Sequence, residues 1–186
     1  MRSSTMRFRL SLSLVACIVL GPLTFASADG PNYPKPPKPD FSSMQFLVGT
    51  WSCSSKSARR PSAVASTQTF SLDPTGYYLV LVTKQNASPW FPYTSTATDK
   101  ITYDSELKKW ADIQTDTFGG YGLNMSSGWS GGKLVWHPVN NTAYLDVASS
   151  SDYTITKVSD TKLSSASSFT TKTGKTVGVA GTCRKT

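Results

Sequence analysis

Apolar and polar residues alternate in short runs through most of this chain, and turn-forming residues interrupt them about every eight to twelve positions. Strands are therefore predicted over Gln45–Cys53, Ser66–Leu72 and Tyr77–Lys84, then over Thr98–Asp104, Lys109–Thr117 and Tyr121–Trp129. More follow over Lys133–His137, from Ala143 through Val147 with a resumption at Tyr153–Val158, and over Lys162–Thr170 and Thr176–Arg184. Asp73-Pro74-Thr75-Gly76, Ser105-Glu106-Leu107-Lys108 and Ser130-Gly131-Gly132 read as tight turns, whereas 54–65, 85–97 and 138–142 read as longer loops. Short and long connections alternate in an up-and-down antiparallel barrel, so the pattern predicts an all-β barrel of about eight to ten strands.

The long loops then share one end of the barrel with the link Phe118-Gly119-Gly120, and that end is the expected mouth. It carries Arg59 and Arg60, then Trp90, Phe91 and Tyr93, with Tyr121 beside the glycine link and His137 just before Pro138. Trp90, Phe91, Tyr93, Tyr121, Trp136 and His137 are the candidate ligand-contacting residues. Aromatic and basic groups around an apolar entrance suit a hydrophobic anion. The competing expectation is that the loops fold back and plug the lumen. Along the sixth strand Tyr121, Leu123, Met125 and Trp129 make one face plainly apolar, and Leu134 and Trp136 oppose Val135 and His137 on the seventh. Trp110 shares its face with Asp112, Gln114 and Asp116, so the favoured assignment turns Ile113 inward and leaves these acids in solvent.

Composition agrees with strands: glutamate occurs once, at Glu106, while serine, threonine, glycine and aromatics are abundant. Arg2, Arg7 and Arg9 precede an apolar run from Leu10 to Phe25, and Ala26-Ser27-Ala28 offers a peptidase site, so residues 1–28 read as a signal peptide. A lipobox ending at Cys17 is the alternative, disfavoured because the chain stays apolar after it. Ser11 and Ser13 break the run, and no stable membrane span is expected. A secreted or periplasmic monomer follows. Cleavage would remove three of the 19 basic residues and none of the 11 acidic ones, and the modest excess left over gives no nucleic-acid footprint. It would also leave two cysteines, Cys53 and Cys183, which an oxidising compartment would join and so bring the first and last strands together. The proline-rich stretch within 29–43 reads as an extended spacer ahead of a barrel domain over 44–186.

The block Met44 to Cys53 with Gly49-x-Trp51, the pairs Tyr103-Asp104 and Lys109-Trp110, Phe118-Gly119-Gly120, and Gly128 through Trp136 together resemble an uncharacterised family of bacterial lipocalin-like domains in the calycin group. The resemblance covers about 44–184 and implies a calycin/lipocalin-like barrel without naming an activity. Gly49 and Trp51 read as structural, near the closed end or side wall. Lipocalins commonly stack a late arginine over this tryptophan, and Arg184 stands in that region, although an inward Cys183 would turn Arg184 outward. Related nitrobindin-like barrels hold haem through a histidine near the C-terminal strands. Here Cys183 occupies that region and the sole histidine is His137, so haem is disfavoured and no cofactor is expected.

Catalytic patterns dissolve on inspection. Gly128-Trp129-Ser130-Gly131-Gly132 matches a nucleophile elbow, but that motif needs a helix leaving the serine, and here a strand leaves. A triad would have to recruit His137 with Asp112 or Asp146. One histidine and no cysteine cluster give no zinc site. Asp99, Asp104, Asp112 and Asp116 lie on one hairpin with differing parity, and a solvated hairpin is the expectation. The sequence thus points to an exported, non-catalytic barrel that buries a small apolar or amphipathic molecule. The alternatives are a hydrolase or isomerase using His137 with a carboxylate, and an envelope structural or interaction protein with a filled barrel.

Overall fold

The computed structural model describes residues 34–89, 92–141 and 147–186. The expected signal peptide, Cys17, and the pair Trp90 and Phe91 lie outside them. The barrel belongs to the compact unit Pro37–Thr186. It opens with a 3-10 helix, Ser42–Leu47, whose first turn is held by the Asp40 carboxylate accepting from the Ser42 amide at 2.9 Å. This corrects the expected strand start at Gln45. Phe41, Met44 and Leu47 recur every third residue, and all three are buried.

Strand β1, Gly49–Ser57, follows, then β2 Val64–Leu72, β3 Leu79–Gln85, β4 Ser95–Asp104, β5 Lys109–Asp116 and β6 Tyr121–Ser126. A two-residue β7, Trp129–Ser130, turns through Gly131 and Gly132 into β8, Lys133–Asn141. Both glycines have positive φ, 57° and 75°, the conformation a tight hairpin of this hand requires. Ser130 therefore sits in a strand-to-strand turn. The series ends with β9 Val147–Ser150, β10 Tyr153–Ser159, β11 Lys162–Thr171 and β12 Thr176–Lys185. Sheet order runs β10-β11-β12-β1-β2-β3-β4-β5-β6-β8, every pair antiparallel, and β8 pairs with β10 to close the ring. The result is a closed antiparallel barrel of ten staves. β8 runs past its expected end at His137 because a register shift opposite Leu123 and Asn124 accommodates Pro138, leaving Val139 as the extra, exposed residue.

Successive connections fall at opposite ends. The 3-10 helix closes the end that bears the short turns, and its core contains Phe41, Met44, Leu47, Trp51, Trp110 and Leu134. The Phe41 ring lies 5.3 Å from that of Trp110, and Phe46 packs edge-on to Trp129 at 5.2 Å. The Trp51 indole N–H donates to the Leu47 carbonyl at 2.7 Å, tying helix to strand. Gly49 makes the bend between them at φ 125°, and a Cβ there would lie 2.9 Å from Lys185 Cε. The cation beside Trp51 is Lys185, with Nζ 5.4 Å from the ring centroid and a 2.8 Å bond to the Phe46 carbonyl. Arg184 is exposed.

Cys53 and Cys183 stand directly opposite each other in the β1–β12 pair, Cα atoms 4.1 Å apart, and are disulfide-bonded. The bond spans 130 residues, so the unfolded chain loses much of its freedom when it is intact. The double replacement Cys53→Ser, Cys183→Ser should lower unfolding free energy by about 2–4 kcal/mol. Denaturant unfolding of that variant, and of the parent protein with and without reductant, checks this.

Candidate functional site

Above the closed end the barrel holds a cavity of about 550 Å³. Its floor is apolar, made by Leu47, Phe70, Ile101, Leu134, Trp136 and Leu163. The walls nearer the loop-bearing end are polar: Asp99, Asp112, Gln114 and Asn124 line one side, and serines of β9 and β11, including Ser149, Ser165 and Ser168, line another. Three carboxylates face this space, counting Asp116, but among the described residues no lysine, arginine or histidine lines it.

This arrangement overturns the favoured reading of β5. Trp110 is packed into the closed-end core against Phe41, so its parity is fixed inward, and a period of two carries Asp112 and Gln114 to the same face. Ile113 points the other way and is 46% exposed. On β6 the same geometry turns Asn124 and Ser126 inward, so the apolar face bearing Leu123 and Met125 is the outer one. The expected solvated hairpin is half right. Asp104 and Asp116 hold turns, Asp104 accepting from the amides of Glu106 and Leu107 and Asp116 from those of Phe118 and Gly120. Asp99 and Asp112 instead are buried in the lumen.

Asp99 pairs with Gln114 across β4 and β5, and Ile101 pairs with Asp112, so the two carboxylates sit on a cross-strand diagonal. Asp112 Oδ2 accepts from the Asn124 amide at 3.0 Å, whereas buried Oδ1 has no partner. Burial, reinforced by the charge of Asp112, pushes Asp99 up to about 8 against the opposing hydrogen bond from Gln114. Burial pushes Asp112 up to about 6, with the Asn124 bond working the other way. Tyr153, on β10, lines the same space. The residue is 37% exposed, yet desolvation within the lumen raises its phenol above the ordinary value, the hydrogen bond with Ser165 opposes this, and the charges of Asp99 and Asp112 raise it further. Ser165 lies opposite Gly181, where an added Cβ would fall 2.6 Å from its hydroxyl.

The candidate ligand residues are divided by this geometry. Trp136 lines the cavity, and Tyr121, at the first position of β6 and 53% exposed, borders it despite sharing the outward parity of Leu123. Tyr93 lies at the mouth end, 60% exposed, with its ring 6.3 Å from Phe118. Trp90 and Phe91 fall outside the described residues. His137 is on the outer face, half-exposed, with Nδ1 2.8 Å from Asp152. The histidine–carboxylate pair inside the lumen that a hydrolase or isomerase would need is therefore not formed by His137. Asp99, Asp112, Asn124 and Tyr153 are the lumen residues that alternation alone missed; the parity of Trp110 would have found Asp112.

No family model matches this chain, and no curated protein matches it. Among solved structures, an S-type phycobiliprotein lyase, CPES from Guillardia theta, superposes with a TM-score of 0.50 at 14% identity, covering 76% of this chain and 89% of that one. A de novo designed fluorescence-activating β-barrel gives 0.42 at 12% identity over 76% and 95% of the two chains. The protein EF1p2_mFAP2b bound to DFHBI gives 0.43 at 13% identity over 77% and 97%. The likeness to the lyase is one of fold, a calycin-like barrel.

Asp99 and Asp112 titrate above the ordinary 3.8, so the folded state holds protons that the unfolded chain releases. Their contribution to stability is full below 3.8 and is lost as pH rises through about 6 and about 8. Thermal unfolding midpoints should therefore fall as pH rises from about 4 to about 8. The double variant Asp99→Asn, Asp112→Asn should flatten the dependence.

Proposed function

We propose that this chain is an exported, non-catalytic barrel that binds a small amphipathic molecule in its lumen. The observation that carries the reading is the cavity of about 550 Å³, apolar at its floor and polar above. Enclosed pockets of roughly 300–1,000 Å³ with a few convergent polar groups are the usual form of small-molecule sites. A barrel with its interior packed solid by side chains would leave no such space. The apolar part of the ligand lies against Phe70, Leu134 and Trp136, and its polar part meets the carboxylates, amides and serines higher in the lumen. Three carboxylates, with no lining cation among the described residues, disfavour the hydrophobic anion that the mouth sequence suggested. Export is supported by the basic and apolar leader with its Ala26-Ser27-Ala28 site and by the Cys53–Cys183 bond. No helix among the described residues is long and apolar enough to cross a membrane.

Native mass spectrometry of protein recovered from its own host should show an adduct of small-molecule mass. Ala97→Phe places a ring in the lumen beside Asp99 on the inward face of β4, and should remove the adduct while the unfolding midpoint stays near that of the parent. Retention of the adduct in this variant would move the binding site out of the barrel.

A further inference from the structure

Resting on the ligand-binding reading above, the geometry points to a specific ligand class: an organic monocation with N–H donors, of the amine, amidine or guanidine kind, seated between Asp99 and Asp112 with its apolar body on the lumen floor. Asp112 is 8% exposed, yet its Oδ1 has no hydrogen-bond partner. A buried carboxylate oxygen left in that state is costly unless something donates to it. Asp99 stands one diagonal step away on β4, so a planar N–H fork between the two strands meets both carboxylates.

The barrel's own cations do not serve this pair. Lys157 and Lys185 have the inward parity of their strands, but they lie at the closed end. Lys157 Nζ is 4.1 Å above the Phe46 ring and 2.6 Å from Asp160, and Lys185 holds Trp51 and the Phe46 carbonyl. Among the described residues the remaining titratable groups lining the lumen are Tyr153 from β10, Asp116 from the upper end of β5 and Tyr121 from β6, none of which brings a positive charge. A divalent metal is a poorer match, since among the described residues no group of three His, Cys, Asp or Glu side chains stands close enough to hold one. Trp136 and Tyr153, paired across β8 and β10, both line the lumen, and aromatic rings there suit an organic cation. Near neutral pH the pair retains a proton, and an arriving cation displaces it into solvent.

Three isosteric probes test this on protein produced from the full chain: 2-naphthamidine as the cation, 2-naphthamide as the neutral form and 2-naphthoate as the anion. Titration calorimetry from about pH 5 to about pH 8.5 spans the range in which the pair ionises. The amidinium should bind about tenfold or more tighter than the amide at the upper pH, with the advantage shrinking as pH falls. It should also release protons, read as a dependence of heat on buffer ionisation enthalpy, and the amide should not. Asp112→Asn, nearly isosteric, should shrink the amidinium's advantage over the amide to within about twofold. The pH series on the parent protein needs no variant to fold. An amidinium bound no tighter than the amide, or a naphthoate bound tightest, overturns the cation assignment and leaves the ligand-binding reading standing. No uptake of any probe, together with an adduct-free native mass spectrum, overturns both.

Discussion

The indole of Trp51 fixes the frame on which the rest of this barrel is read. Its N–H holds the carbonyl of Leu47, so the 3-10 helix is tied across the barrel end and β1 cannot slip by one residue without expelling a large apolar ring. With Trp51 inward, Cys53 is inward two positions later, and so is its partner Cys183 on β12. Lys185 then falls over Trp51 instead of Arg184, because it shares the parity of Cys183. One side-chain orientation thus propagates through strand period and pairing to the disulfide, the plug and the cation that closes it.

The same logic explains what was legible in the sequence. Strand positions, the alternation of short and long connections, and the joining of the first and last strands could be read from turn residues and two cysteines, because these are local or covalent constraints. The 3-10 helix was missed because Gln45-Phe46-Leu47-Val48 is apolar enough to pass for a strand, and what separates it from β1 is the single backbone bend at Gly49. By sequence Pro138 ends a strand, but a bulge carries β8 past it.

The interior was the least legible part, and the reason is physical. Period-two reading identifies a buried face by its hydrophobicity, which works where the inside of a sheet is a packed core. In this barrel only the closed end is packed; the remainder of the inner face borders a cavity and carries Asp99, Asp112, Gln114, Asn124 and serines. The outer face meanwhile holds Ile113 and Val139, exposed singly, as apolar residues on protein surfaces often are. Hydrophobicity therefore gave the wrong sign for β5 and β6. A better guide was the position of the largest ring relative to the plug, since Trp110 beside Phe41 settles which side of β5 is inside.

An acidic lumen within a chain of net basic character also has a kinetic side. The field of the whole molecule extends beyond its surface and is screened by salt, whereas the carboxylates inside act at short range behind low-dielectric walls. Exterior and interior therefore select opposite signs of charge. On the proposed cation-binding reading, an anion is drawn toward the barrel and refused within it, while a cation is slowed on approach and held once inside. For such a molecule, rising ionic strength speeds arrival by muting the outer field and leaves the rate of escape nearly untouched.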